Sequence, residues 1–130
     1  MNEILIPISP GELLDKITIL QIKAERIADP VKVANVKTEL DMLNKVWSEA
    51  VEVDAEITTL TAELKAVNEA LWEIEDDIRD EERNKRFNER FIELARAVYV
   101  TNDERANAKK KVNLHLNSTI VEEKSYQDYR

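Results

Sequence analysis

The stretch LNKVWSEAVEVDAEITTLTAELKAVNEALWEIEDDI, residues 43–78, decides the fold. Leu43, Val46, Ala50, Val53, Ile57, Leu60, Leu64, Val67, Leu71, Ile74 and Ile78 follow one another at spacings of 3 and 4, and every one is apolar. Such a repeat lays a continuous stripe along a helix, the seam on which helices pack lengthwise. It predicts an all-α protein, an antiparallel helical bundle or helical hairpin with long heptad-patterned helices. The only candidate for a short β pairing is the N-terminal segment.

Bulk composition agrees. A chain of 130 residues is expected to form a single helical domain over 1–130, burying roughly two-thirds of its unfolded surface. Hydrophobic residues make up 43% and charged residues 35%, with one Gly, the balance of a helix-rich chain with few tight turns. With no Cys, disulfides and thiolate metal sites are excluded. No apolar run reaches the roughly 18 residues of a membrane span. The opening MNEILIP is acidic where a secretory signal is basic, which predicts a cytoplasmic protein without a membrane partner. The net charge is −8, and it is segregated: residues 1–82 hold 8 Lys/Arg against 20 Asp/Glu, whereas 83–111 hold 9 against 4. The acidic majority argues against nucleic acid, which needs clustered cations. The basic segment leaves room for a local anion site.

Outward from the seam, helix boundaries can be read from caps. Ile4 to Ile8 is β-branched and short, interrupted by Pro7, hence an edge strand at most. Ser9-Pro10-Gly11-Glu12 is a capping box with Pro at the first helical position, so a first helix starts at Pro10. Asp29-Pro30 starts a second. Its end has two solutions, a single helix running to about residue 82 or a break near residues 50–55 where Asp54 caps a new helix; the β-branched acidic run Val51 to Asp54 favours the break. Arg83 to Arg86 is a polar turn, Asn88 an N-cap, and Phe87 with Ile92 a hydrophobic staple. Thr101 to Glu104 reads as a further capping box, opening a fifth helix over about 103–117 that Asn117 and Ser118 end. In the tail, Ile120 and Val121 are the residues that would pair with the N-terminal segment.

Few residues carry chemistry. Glu49 and Glu52, then Glu73 and Asp76, read ExxE and ExxD, a pattern that looks like the Mg-dependent helical nucleotide pyrophosphatases when two helices face each other. Twenty acidic residues in 82 positions produce that spacing by chance, so a solvated acidic face is the simpler reading and no metal or cofactor is assigned. Asn102, Asp103, Arg105 and Lys109 are the candidate ligand-binding residues: Arg105 and Lys109 share a helix face just past an expected helix start, where free amides and two cations would hold a phosphate or carboxylate. His115, the sole histidine, is expected at the surface or half-buried. Trp47 and Trp72 are expected to pack beside the seam, and Arg79 to pair with Glu75 or Asp76 one turn away. Tyr99, Tyr126 and Tyr129 have no acid–base partner nearby in sequence.

Three stretches together, Pro7 to Arg26, Asn68 to Arg79, and Ala95 to Arg105 with Glu122 to Tyr126, resemble a family of short bacterial proteins described only as a domain of unknown function. Genes of that family often lie beside glycosyltransferases of surface-polysaccharide loci. The resemblance therefore implies an accessory role in carbohydrate biosynthesis, with a protein partner there, and carries over no catalytic residue. Two readings stand. One is a helical interaction or accessory module, expected as a homodimer because the seam is longer than the first helix can cover. The other is a small-ligand protein or enzyme acting on a phosphorylated or carboxylated metabolite held between the bundle helices.

Overall fold

The computed structural model describes residues 3–129. Met1 and Asn2, which open the acidic N-terminus, and Arg130, which ends the tail, lie outside the described residues. The chain forms four helices: α1 Pro10–Arg26, α2 Pro30–Ala50, α3 Ala55–Arg83 and α4 Glu89–His115. Neither Ile4 to Ile8 nor Ile120 and Val121 form a strand, so among the described residues the protein is all-helical.

The caps explain most boundaries. Ser9 Oγ accepts from the Glu12 amide at 3.1 Å, Asp29 Oδ1 from the Val31 amide at 2.9 Å, and Asp54 Oδ1 from the Ile57 amide at 2.8 Å. Each satisfies an amide that the first helical turn leaves unpaired. The long seam is thus two helices, α2 and α3, broken at residues 51–54. At their C-termini α3 and α4 close without glycine: Lys85 and Asn117 take left-handed φ of 56° and 53°. In the first closure the Arg86 amide donates to the Glu81 carbonyl at 2.9 Å, and in the second Ser118 donates to Asn113 at 2.9 Å. Both are Schellman closures with a non-glycine residue in the left-handed position, whereas α1 and α2 end on the extended residues Ile27 and Val51.

Two readings from local signals need correction. Thr101 to Glu104 starts no helix; α4 runs through it without interruption. Leu94, Val98, Thr101, Arg105, Ala108 and Val112 recur at spacings of 4 and 3, and Leu94, Thr101, Ala108 and Val112 are buried along this stripe. Tertiary packing of that stripe overrides a polar capping signature. At the start of α4, Asn88 occupies the N-cap but makes no side-chain capping bond. Phe87 there packs edge-on against Phe91, centroids 5.2 Å apart, where a staple onto Ile92 was expected.

Helix α1 lies centrally and packs against α2, α3 and α4; α3 and α4 form the most extensive antiparallel pair. Their core is Leu14, Ile57, Leu60, Leu64, Ala108 and Val112, with Trp47 and Leu116 packed on its edge. Only the middle of the heptad run is buried. Ile57, Leu60 and Leu64 are enclosed, Val67, Leu71, Ile74 and Ile78 are half-buried, and Val46 and Val53 are 48% and 55% exposed.

Leu64→Ala is therefore expected to cost about 2–5 kcal/mol, Leu71→Ala clearly less, and Val46→Ala under about 0.5 kcal/mol. Urea unfolding of the three variants checks this order, and equal losses would contradict the packing described.

Candidate functional site

The centre of the molecule is a polar layer inside an apolar core. Asp15, in the middle of α1 between Leu14 and Ile17, has a side chain only 1% exposed. Arg105 of α4 meets it in a fork: Nε donates to Oδ1 at 2.9 Å and Nη2 to Oδ2 at 2.5 Å. Asn68 of α3 closes the layer, its Nδ2 donating to Asp15 Oδ1 at 3.0 Å and to Thr18 Oγ1 at 3.1 Å. Burial alone would raise the Asp15 carboxyl. The bonds from Arg105 and Asn68, with the charges of Arg105 and Lys109, outweigh it and hold the group below the usual carboxylate range. The Arg105 guanidinium is correspondingly raised, first by its bond to Asp15 and against its own burial.

One turn further along α4, Lys109 is 10% exposed and pairs with Glu12 at 2.6 Å and Glu122 at 2.9 Å. Burial would lower its ammonium, yet those two carboxylates raise it. Glu12 thus spends its side chain on Lys109, while its backbone amide remains capped by Ser9. Glu122 belongs to the C-terminal tail, which runs back along α4. Lys110 pairs with Glu123 at 3.7 Å, Lys124 with Asp103 at 3.7 Å, and Tyr129 packs edge-on against Tyr99 at 4.9 Å.

The single glycine explains how closely α1 sits on α4. The Gly11 amide donates to Asn113 Oδ1 at 2.7 Å. A Cβ at this position would collide with the Lys109 carbonyl oxygen and come within 2.9 Å of Asn113 Oδ1.

Beside the polar layer, α1, α3 and α4 frame an open cleft of about 440 Å³. Its apolar wall is Ile19, Ile22, Leu71 and the half-buried ring of Trp72. Asn68, Glu75, Asp76, Arg79, Asn102 and Arg105 supply the polar groups. Arg79 pairs with Glu75 at 3.1 Å, as its spacing in α3 predicts. The side chains of Asp76, Asn102 and Trp72 make no hydrogen bond among the described residues, and neither does Asn68 Oδ1. Because no fully enclosed side-chain polar atom among the described residues is left unbonded, the free Asn68 oxygen keeps some exposure, and Asn68 lines the cleft. A second hollow, of about 560 Å³, lies between α4 and the tail, lined by Tyr99, Asp103, Asn107 and Lys124 among others.

The four candidate residues thus divide. Asn102 and Arg105 line the cleft together, Asp103 faces the tail, and Lys109 anchors the tail to α1. With α4 continuous at Thr101, no free helix amides stand beside Arg105. Glu49 and Glu52 flank the α2–α3 connection while Glu73 lies five turns into α3, roughly 27 Å along its axis, so those carboxylates do not converge; Glu73 instead meets Arg26 at 3.4 Å. His115, exposed, reaches the Asp54 cap at 2.8 Å. Sequence reasoning passed over Asp15, Asn68, Gly11 and Asn113. The readable signals were an acid inside an apolar stripe and a glycine inside a helix.

The ion pair sets an acid limit. Because the folded Asp15 carboxyl is depressed, its stabilisation is complete above the unfolded value near 3.8 and is lost as pH falls through the folded value. Asp15→Asn should lower stability at neutral pH and flatten the loss below about pH 4, as followed by urea midpoints. Arg105→Ala, which strands the buried carboxylate, should cost on the order of 3 kcal/mol.

Searches of curated proteins and of solved structures find no match. A family model, described as a family of unknown function (DUF6165), matches residues 4–129. That span takes in all four helices, the polar layer and the cleft, and the chain belongs to this family.

Proposed function

We propose that the protein is a cytoplasmic small-ligand-binding helical module that serves carbohydrate biosynthesis as an accessory component, its ligand seated in the cleft between α1, α3 and α4. One observation carries the reading: polar groups without partners among the described residues, on Asn68, Asp76, Asn102 and Trp72, converge on a concavity with an apolar wall. Binding sites have this composition, apolar walls with a few placed polar groups. Of the four residues singled out in the sequence, Asn102 and Arg105 are assigned to the ligand. Asp103 and Lys109 are assigned to holding the tail.

A thermal-shift panel of monosaccharides, sugar phosphates and nucleotide sugars tests it. A ligand at 100 times its Kd stabilises by about 2.7 kcal/mol, and the shift should vanish in Trp72→Ala. No shift from any member at millimolar concentration would overturn the proposal.

A self-association reading has its own support in α2. The backbone of this helix approaches α1 alone, and a face turned away from its buried Val36 carries exposed Val31 and Met42. Its charges are segregated end to end: Lys32 and Lys37 lie in the first half, Glu39, Asp41 and Glu49 in the second, with Lys45 among them. Two copies packed antiparallel through this face would set each basic half against the other's acidic half. Sedimentation should show a dimer that Met42→Glu dissociates with the helical signal unchanged; a monomer at all concentrations overturns this reading.

A further inference from the structure

The charges already present in the cleft decide what chemistry suits it. Two guanidiniums line it, and each is matched by a carboxylate of the chain, Arg105 by Asp15 and Arg79 by Glu75. Asp76 has no cation partner among the described residues. An incoming phosphate or carboxylate would meet one uncompensated negative charge, and to reach a guanidinium fully it would have to displace an internal carboxylate. For Arg105 that means displacing a buried one, which is costly.

The unpaired groups have the opposite demand. Both Asp76 oxygens, Asn68 Oδ1 and the Asn102 amide oxygen accept; the Asn102 amide, Trp72 Nε1 and Arg105 Nη1, which the fork to Asp15 leaves unused, donate. Hydroxyl groups answer both kinds, since each donates one bond and accepts others. Beside them stands the Trp72 ring with Ile19, Ile22 and Leu71. An aromatic face next to placed polar groups fits a ring that is apolar on its C–H face and polar at its edge.

We infer that the cleft takes an uncharged, hydroxyl-bearing ring, a neutral sugar or a glycoside residue of a larger glycan, in preference to a sugar phosphate or another anion. The inference rests on the cleft being the binding site, and it departs from the phosphorylated or carboxylated ligand that the sequence reading expects.

The test is a titration of the 15N-labelled protein followed at its two indole N–H signals, Trp47 and Trp72. The probes are methyl α-D-glucopyranoside, methyl α-D-mannopyranoside and methyl β-D-galactopyranoside against glucose 1-phosphate, mannose 1-phosphate and galactose 1-phosphate. Expected is a saturable shift of the Trp72 signal, with Trp47 unmoved, for at least one neutral glycoside. The phosphate of the same sugar should bind several-fold more weakly at low salt, with the gap narrowing as salt screens the charge. Asp76→Asn, a change at an exposed position, should weaken the glycoside and narrow the same gap. A sugar phosphate that moves the Trp72 signal at lower concentration than its neutral counterpart overturns the ligand class while leaving the cleft as a binding site. A Trp72 signal that no probe moves overturns both.

Discussion

The fork between Asp15 and Arg105 is the contact on which the arrangement of α1, α3 and α4 depends. A carboxylate enclosed in a helical core is strongly unfavourable unless every oxygen is met. Here Oδ1 receives Arg105 Nε and Asn68 Nδ2, and Oδ2 receives Arg105 Nη2. Three helices must therefore stand in one relative register, because sliding any of them by a turn would leave a charge or an amide unmet. Apolar packing within the cluster that holds Leu14, Leu64 and Val112 supplies the bulk of the burial but tolerates sliding far better. The polar layer thus selects among packings that the seam alone would leave close in energy.

How much of this could be read beforehand follows from where each signal resides. Helix class and the starts at Pro10, Pro30 and Ala55 were legible because capping is local: Ser9, Asp29 and Asp54 act on amides two or three residues away. The apparent start at Thr101 misled for the same reason, since a local signature was weighed without the stripe from Leu94 to Val112 that keeps α4 whole. Asn102 and Arg105, named in the sequence as ligand-binding residues beside an expected helix start, line instead a cleft framed by three helices. The role of Arg105 as partner of a carboxylate 90 residues away belongs to the tertiary structure, and no spacing rule on one helix reveals it. Heptad reading also admits only apolar residues to a seam, so Asn68, which follows the seam residue Val67, and Arg105, which interrupts the stripe of α4, fell outside it.

The charge segregation along the chain acquires a meaning in three dimensions. The cations of 83–111 are met by acids from elsewhere: Arg86 by Glu81, Arg90 by Asp77, Lys109 by Glu12 and Glu122, Lys111 by Glu63. What looks in the sequence like a basic patch seeking an anion is largely the complement of the chain's own acidic helices. Most of these pairs are exposed and each contributes little to stability. Their collective effect is to orient α4 and the tail, and to leave Asp76 as the unbalanced charge at the cleft.

The break at residues 51–54 separates α2 mechanically from the rest. Having given up continuity with α3, α2 touches α1 by backbone approach and the core only through Trp47 at its end, and Val36 is its one buried residue. A helix with so little buried surface is expected to open ahead of the others, as a local fluctuation that leaves the polar layer intact. Its amides are then expected to exchange with solvent deuterons ahead of those in α1 and the middle of α3, three helices holding the polar layer while the fourth opens and closes beside them.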